Sequence, residues 1–284
     1  MNEPSSQFVD GIPENYDRGL GPHIFHDYAE DLAVRAAEAN PAAVLELAAG
    51  TGILTRKLRD TLAPAARLVA TDLNPPMLDV AKRKFAPGET VEFMPADAMA
   101  LPFGDDAFDV VVCQFGVMFF PDKQAAFREA VRVLRPGGRY LFNVWGGMSE
   151  NTFSEVAQKV CVEFFPDDPP GFYKVPFGYS EQSVVMADMA AGGLQDVTCE
   201  TLTFDKQVAD WPLFAHGLVF GSPLSDKILE RGGVEPEEVV RAILAALRER
   251  FPRCHSWQRC TAEALLDVGR PWRRVKKGLR GGAG

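Results

Sequence analysis

Residues 44–52, VLELAAGTG, change abruptly from an apolar run to a series of alanines and glycines. A short apolar run of this kind predicts a strand that is buried in a parallel sheet. Small residues directly after a strand let another molecule approach the backbone closely. In open α/β sheets, ligands bind beyond the carboxyl ends of the strands. We therefore expect a ligand-binding loop at this point of the chain.

Strand-like and helix-like segments alternate on both sides of this loop. The pattern predicts strands at 44–48, 67–72, 91–97, 108–116, 140–145 and 197–204, and a weaker one at 262–268. It predicts helices at 25–38, 51–62, 74–85, 122–134, 181–191 and 236–251. Such alternation favours an α/β fold. We expect a doubly wound, mostly parallel, seven-stranded Rossmann-like sheet with helices on both faces and a small cap of helices and loops.

We expect one domain over residues 1–284. Its parts, in chain order, are an N-terminal lid of helices (1–40), a ligand-binding core (41–145), a cap insert rich in proline and aromatic residues (146–195), the C-terminal part of the sheet with its helices (196–270), and a basic, disordered tail (271–284).

The composition excludes several classes of function. A net charge of −9 argues against nucleic acid as a partner, because phosphate binding needs clustered lysine and arginine. No apolar run approaches the roughly eighteen residues of a membrane span, so no stable membrane association is expected. The polar N-terminus is unlike a signal peptide, and the five cysteines contain no C-x-x-C pair. These features favour the cytoplasm.

A metal site is not expected either. Cys254, His255 and Cys260 lie close together in the sequence, but a fourth ligand at zinc-like spacing is missing. Nothing in the pattern indicates an oligomeric state.

Asp72 ends the second predicted strand, twenty residues after Gly52. A carboxylate at this place can accept hydrogen bonds from both hydroxyls of a ribose. The spacing alone fits a nicotinamide dinucleotide, S-adenosylmethionine, or a purely structural turn. The glycine pattern departs from the nicotinamide one, because Thr55 stands where a third glycine is expected after Gly50 and Gly52.

The next two strand ends favour S-adenosylmethionine. Asp97 and Ala98 follow the third strand, where a carboxylate can accept a hydrogen bond from an adenine amino group. Gln114 and Phe115 end the fourth strand and face the same crevice.

Five segments together resemble one family. VLELAAGTG, VATDLNPPML, PADAMALPF, FDVVVCQFGVMFFPD and LRPGGRYLF, in this order and spacing, are similar to class I S-adenosylmethionine-dependent methyltransferases. The resemblance is strongest to the type 11 group, which includes the ubiquinone and menaquinone biosynthesis enzymes, and it covers roughly residues 44–145. It implies S-adenosylmethionine as the cofactor. The residues that it places around the cofactor are Tyr16, Glu46, Ala48, Gly50, Thr51, Gly52, Asp72, Leu73, Met77, Asp97, Ala98, Gln114 and Phe115.

The implied activity is methyl transfer to oxygen, nitrogen or carbon of a small molecule. Aromatic and apolar side chains in the cap and near the strand ends favour an apolar or aromatic acceptor. The residues expected to line its pocket are Met118, Phe119, Trp145, Phe172, Tyr173, Phe177 and Tyr179. A non-catalytic cofactor-binding or regulatory protein, or an NAD-dependent oxidoreductase, are the alternatives.

No catalytic residue is assigned from the sequence. Tyr16, His23 and His26 are candidates, since they lie in a segment that resembles the family's N-terminal lid. An imidazole titrates near neutral pH and can act as a general base. A packed or solvated structural role is the alternative for each of the two histidines.

Overall fold

The computed structural model describes residues 7–194, 196–251 and 257–269, the last range for the backbone only. Its helices are α1 (Ile12–Gly19), α2 (His26–Glu38), α3 (Ile53–Thr61), α4 (Pro75–Lys82), α5 (Lys123–Val133), α6 (Thr152–Phe164), α7 (Gln182–Ala191), α8 (Trp211–Phe220), α9 (Leu224–Arg231) and α10 (Pro236–Arg250). Its strands are β1 (Ala43–Glu46), β2 (Arg67–Asp72), β3 (Glu92–Pro95), β4 (Phe108–Gln114), β5 (Leu134–Trp145), β6 (Thr198–Gln207) and β7 (Trp257–Gly269). A π-helical turn, Gly21–Phe25, joins α1 to α2.

The strands form one sheet in the order β3-β2-β1-β4-β5-β7-β6. The first five strands of that order are parallel, and β7 runs antiparallel to both β5 and β6. Strand order reverses between β1 and β4, which is where folds of this kind bind ligands. The predicted Rossmann-like α/β fold with a mostly parallel sheet is confirmed.

The centre of the sheet is fully buried. Leu45 on β1 and Val111 on β4 are partners in register, and neither side chain is exposed. Each such side chain contributes about 1.5–3 kcal/mol to folding when it leaves water. The predicted apolar run therefore forms the strand that fixes the position of the loop after it.

Strand β5 begins earlier than the sequence predicts. The predicted strand begins at residue 140, yet Phe108 pairs with Leu134 and Val110 with Arg139. Residues 135–138 therefore stand opposite a single residue of β4. Gly137 has a φ of 80°, a conformation that glycine adopts without strain, so the extra residues fold out of the ladder.

The sequence pattern does not predict α1, α6, α8 or α9. Helix α8 shows the reason, because its sequence WPLFAHGLVF is apolar almost throughout and has no polar stripe. Phe214, Leu218 and Val219 are all buried, so this helix packs on several sides at once. A helix of this kind lacks the amphipathic periodicity by which helices are recognised in a sequence.

Helices α1 and α8 cross with their backbones in contact. A Cβ atom added to Gly217 would lie 2.8 Å from the Cα of Gly19, and one added to Gly221 would lie 2.9 Å from the Cα of Tyr16. Only glycine permits so close an approach. The crossing brings Tyr16 and Leu218 to the same side of the molecule, above the carboxyl ends of the strands.

The residues weighed for a metal site and the predicted tail fall outside the described side chains, whereas the predicted strand at 262–268 lies within β7. The residues outside are Cys254, His255, the side chain of Cys260 and the tail at 271–284. The division of the chain into lid, core, cap and C-terminal part stays a prediction. Within the described residues, no helix is both long and apolar enough to cross a membrane.

Candidate functional site

A large cavity lies where the strand order reverses. Its floor comes from the loops after β1, β2, β3 and β4, and its roof comes from α1, the π-helical turn, the cap and the end of α8. Asp72 and Asp97 lie on one side of this cavity, which we call the acidic side. The aromatic side is formed by Phe8, Phe119, Phe120, Trp145, Phe153, Phe172, Tyr173, Pro176, Phe177, Leu218, Gly221 and Ser222.

Asp72 holds the glycine loop in place. One of its carboxylate oxygens accepts a hydrogen bond from the backbone N–H of Gly50 at 2.8 Å, and the other accepts one from the N–H of Asn74 at 2.8 Å. Burial raises the pKa of Asp72, and these hydrogen bonds act against that rise. The oxygen bound to the N–H of Asn74 also accepts a hydrogen bond from Nδ2 of Asn74 at 3.3 Å, so a further hydrogen bond is best accepted by the oxygen bound to Gly50. Because Asp72 also lines the cavity, it can bind a ligand hydroxyl while it fixes the loop.

Two residues at the floor adopt a conformation that is unusual for their type. Ala48 has a φ of 50° and Phe115 a φ of 51°. Left-handed conformations cost free energy in residues other than glycine, and they cluster at ligand-binding sites. A Cβ atom on Gly116 would lie 2.5 Å from the Cβ of Ala48. The glycine at 116 therefore leaves room for the methyl group of Ala48.

Glu46 borders a second, smaller cavity of about 30 Å³, together with Thr51 and Gln114. Its Oε2 atom is buried and has no hydrogen-bond partner among the described residues. Burial raises the pKa of Glu46 to about 8, and the nearby Asp72 adds to the rise. A space of this size holds one or two water molecules or a group of similar size. Glu46 thus forms a polar socket suited to a small donor group such as an ammonium.

Tyr16 and Phe25 line both cavities. Their rings are stacked, with centroids 5.0 Å apart. The carbonyl oxygen of Phe25 accepts a hydrogen bond from Nε2 of Gln114 at 2.9 Å, which ties the π-helical turn to the end of β4. Burial, together with Asp17 and Asp72, raises the pKa of Tyr16, so its hydroxyl stays protonated.

The aromatic side of the cavity is fixed by hydrogen bonds from the cap. The hydroxyl of Tyr173 donates to the carbonyl oxygen of Leu218 at 3.0 Å, and that of Tyr179 donates to Asp188 at 2.9 Å. Trp145 lies face to face with Phe115, with centroids 3.9 Å apart. Of the expected acceptor-pocket residues, the structure brings five to the lining, namely Phe119, Trp145, Phe172, Tyr173 and Phe177.

Three expected residues do not line either cavity. Met118 is buried beneath the site, and the hydroxyl of Tyr179 points to Asp188 instead. Gly52 faces away from the site, because a Cβ atom there would lie 2.7 Å from the Cβ of Ala81. Its role is the close packing of α3 on α4. The remaining residues expected around the cofactor all line one or both cavities: Tyr16, Glu46, Ala48, Gly50, Thr51, Asp72, Leu73, Met77, Asp97, Ala98, Gln114 and Phe115.

The sequence pattern misses Phe8, Phe153 and the α8 residues of the aromatic side. The G-x-x-x-G spacing of Gly217 and Gly221 is a usable signal for α8, since small residues four apart indicate close helix packing. For Phe8 and Phe153 the sequence offers no comparable signal.

Neither histidine lies at the cavities. His26 is exposed, and His23 is 4% exposed with its ring stacked on Phe214 at 5.3 Å. Neither ring nitrogen of His23 has a hydrogen-bond partner among the described residues. Burial lowers the pKa of His23, so its ring is neutral at pH 7. The structure gives His23 a packing position and no contact with the site.

Replacing His23 with phenylalanine is expected to stabilise the protein by about 1–3 kcal/mol, because it removes a buried donor that has no partner and keeps the ring stack. The lowered pKa means that the unfolded chain binds a proton which the folded chain does not. Wild-type stability should therefore decrease as the pH falls below about 6.5, and the gain from His23→Phe should grow there.

Urea unfolding at pH 7.5 and 5.5 measures this difference. His216→Phe is the matched control, since His216 also stacks on a phenylalanine but is only partly buried. If the two variants differ from the wild type by the same amount at both pH values, the assignment of His23 is wrong.

No group of three or more histidine, cysteine, aspartate or glutamate side chains in the described part of the chain is arranged to hold a metal ion. The polar groups of the site instead are separate carboxylates and backbone amides. They suit an organic ligand with hydroxyl and amino groups.

Comparison with known proteins agrees with this geometry. A family model described as a methyltransferase domain matches residues 45–142. Demethylmenaquinone methyltransferase of Thermus thermophilus is 49% identical over 114 residues, which cover 40% of this chain and 50% of that protein. The ubiquinone/menaquinone biosynthesis C-methyltransferase UbiE of Ectopseudomonas mendocina is 31% identical over 173 residues, which cover 56% of this chain and 68% of that protein.

Among solved structures, the YcgJ protein of Bacillus subtilis aligns with a TM-score of 0.55 at 20% identity, over 87% of this chain and 100% of that one. This similarity shows the fold alone. The chain spans half the length of the Thermus relative and about two thirds of the Ectopseudomonas relative. On these similarities, this chain belongs to the class I S-adenosylmethionine-dependent methyltransferases and is similar to their ubiquinone and menaquinone C-methyltransferases.

Proposed function

We propose that this chain transfers the methyl group of S-adenosylmethionine to carbon, nitrogen or oxygen of a small apolar or aromatic molecule. The observation that carries the proposal is the large cavity, in which an acidic side and an aromatic side share one space. Donor and acceptor can therefore meet without crossing solvent.

The residues present fit S-adenosylmethionine. The oxygen of Asp72 that is bound to Gly50 can accept a further hydrogen bond from a ribose hydroxyl, and Asp97 lies on the same side for an adenine amino group. The unpartnered Oε2 of Glu46 suits the ammonium of the methionine moiety. The positive φ angles of Ala48 and Gly50 shape a loop whose backbone a ligand can approach closely. When bound, this cofactor supplies a methyl group on a positively charged sulfur, an electrophile that needs no activation by the protein.

The chain's own residues have to orient the acceptor and exclude water. Phe119, Trp145 and Phe177 form apolar walls that hold a flat molecule, and orientation of this kind lowers a barrier by several kcal/mol. The hydroxyls of Tyr173 and Ser222 both donate to the carbonyl oxygen of Leu218. The described residues of the aromatic side carry no charge, which favours an uncharged acceptor.

A transfer assay with a labelled methyl group tests the proposal. Two relatives are named for demethylmenaquinone and for ubiquinone and menaquinone, so reduced quinones are the first acceptors to try. Phenols, amines and carboxylic acids follow. We expect label in apolar ring compounds. Titration calorimetry with S-adenosylmethionine and with NAD accompanies the assay. Binding of NAD alone overturns the proposal. Binding of S-adenosylmethionine without transfer to any acceptor indicates a non-catalytic binder.

We also propose that residues 1–284 form one cytoplasmic domain with a seven-stranded sheet. Side chains from the lid, core, cap and C-terminal helices belong to one hydrophobic cluster, which supports a single domain. Cys113, Cys161 and Cys199 are free thiols, as expected in a reducing compartment.

Cofactor binding is expected to release close to one proton at pH 7. With a pKa of about 8, the carboxyl of Glu46 is mostly protonated there before binding. An ammonium in the socket favours the charged carboxylate, so the proton leaves. The affinity should therefore rise as the pH approaches about 8 and level off above it.

Titration calorimetry in buffers of different ionisation enthalpy counts the released proton. Glu46→Gln should bind more weakly and release none, whereas Asp97→Asn should still release it. Equal proton release by wild type and Glu46→Gln would contradict the assignment.

A further inference from the structure

Two hydroxyl groups meet one carbonyl oxygen in the wall of the large cavity. Tyr173 in the cap, and Leu218 and Ser222 near the end of α8, all line its aromatic side. The hydroxyl of Tyr173 lies 3.0 Å from the carbonyl oxygen of Leu218, and the hydroxyl of Ser222 lies 3.2 Å from it. We call these three groups the hydroxyl cluster. It is a polar point on a side that consists mainly of apolar rings.

The hydrogens of both hydroxyls are used inside the hydroxyl cluster. A carbonyl oxygen has no hydrogen to give, so the hydroxyl is the donor in each contact. A second oxygen near Ser222, that of Val219 at 3.4 Å, is also a carbonyl and also only accepts. Burial raises the pKa of Tyr173 well above its ordinary value, so the phenol keeps its hydrogen. Neither hydroxyl therefore has a hydrogen left to donate to a ligand.

The two hydroxyl oxygens can still accept. A phenol oxygen that donates its hydrogen keeps lone pairs, and so does the oxygen of Ser222, which accepts one hydrogen bond from the backbone N–H of Leu224 at 3.3 Å. Tyr173 is 3% exposed and Ser222 is 2% exposed, so a ligand in the cavity and not bulk water has to supply the missing donor. A ligand that donates nothing there leaves these buried oxygens without a partner.

We infer that Tyr173 and Ser222 select a methyl acceptor that donates a hydrogen bond to them, which means a ring that carries a hydroxyl or amino hydrogen. This inference rests on the proposed function and narrows its substrate class. The two side chains orient the acceptor and move no proton, since both hydroxyls keep theirs. The expected preference over a ring that lacks such a hydrogen is about tenfold to a hundredfold, the range for buried polar groups that lose their partner.

Binding measurements on protein saturated with S-adenosylhomocysteine test this inference without methyl transfer. The probes are 1-naphthol, 1-naphthylamine and 1-fluoronaphthalene, which share one ring system and are similar in size. The first two donate a hydrogen bond from oxygen and from nitrogen, and the third donates none. The wild type should bind at least one of the two donors about tenfold to a hundredfold more tightly than 1-fluoronaphthalene. The comparison of the two donors shows which kind of hydrogen is preferred.

Variants that remove one hydroxyl and keep the apolar wall assign the preference to the hydroxyl cluster. Tyr173→Phe and Ser222→Ala should each weaken the preferred donor about threefold or more and change 1-fluoronaphthalene by less than about twofold. Tyr179→Phe is the matched control. It also removes a tyrosine hydroxyl that holds the cap, here through Asp188, but Tyr179 lines neither cavity. The control should keep the full preference.

Three results overturn the inference. The first is equal binding of all three probes by the wild type. The second is a preference that Tyr173→Phe and Ser222→Ala both retain in full. The third is an equal loss in Tyr179→Phe and Tyr173→Phe, since the rigidity of the cap would then explain the preference. Ser222→Ala alone decides if Tyr173→Phe does not fold. A wild type that binds none of the naphthalenes contradicts the apolar ring acceptor of the proposed function instead.

Discussion

Replacing Asp72 with alanine is expected to lower the affinity for S-adenosylmethionine at least 100-fold. The cofactor would lose the hydrogen bond from its ribose to this carboxylate, and a hydrogen bond to a charged group is worth about 1.5–3 kcal/mol. The same change removes the acceptor of the Gly50 amide, so the loop that borders the ligand loses its anchor. Both effects act in the same direction, which is why this substitution should have the largest effect on binding.

Titration calorimetry on Asp72→Ala, Asp72→Asn and Asp79→Ala separates the two effects. Asp72→Asn keeps one oxygen that can accept the Gly50 amide and should retain part of the affinity. Asp79 lies exposed on α4 in an ion pair with Lys82, so its replacement should leave binding unchanged. Affinity within threefold of wild type in Asp72→Ala would show that this carboxylate does not contact the cofactor.

Replacing Gly217 with valine is expected to destabilise the protein by about 3 kcal/mol, because overpacking costs about 1–3 kcal/mol and a contact with rigid backbone lies at the upper end of that range. The new Cβ atom would lie 2.8 Å from the backbone of Gly19, where no flexible side chain can yield. Helices α1 and α8 must move apart. For a chain of this size, the melting temperature should fall by about 6–12 °C.

Thermal unfolding followed by circular dichroism measures the loss, and Gly104→Ala is the control. No atom lies within 4 Å of a Cβ placed on Gly104 among the described residues, so this change should leave the melting temperature within about 1–2 °C. An unchanged melting temperature in Gly217→Val would mean that α1 is not packed against α8 in solution.

The core of the fold follows from local patterns in the sequence. The run at 44–48 is short, apolar and followed by small residues, a combination that only a buried parallel strand with a ligand loop satisfies well. Asp72 was placed by its distance from that loop, and the structure joins the two through the hydrogen bond to Gly50. Features that depend on one strand and the turn after it are therefore predictable.

The roof of the site depends on contacts between distant parts of the chain. Tyr16 meets Gly221 across 205 residues, and no local periodicity carries that information. The roles of the loop glycines also depend on distant contacts. Gly50 and Gly52 both have positive φ angles, so local backbone geometry does not distinguish them. Gly50 lines the cavity, whereas Gly52 packs against Ala81. Only the packing of α4, which the sequence pattern does not fix, decides between these roles.

The hydrogen bonds of the Tyr173 and Tyr179 hydroxyls affect how ligands enter and leave the cavity. Tyr173 is bound to α8 and Tyr179 to α7, so residues 174–178 are held at both ends. This segment, which includes Pro176 and Phe177 of the cavity lining, should therefore limit the size of the molecule that the cavity admits. We therefore expect ligands to exchange past the N-terminal residues, which are tied to the core by an exposed ion pair of Glu14 with Arg83. Salt screens exposed ion pairs. The residence time of a bound ligand should therefore shorten as the ionic strength rises.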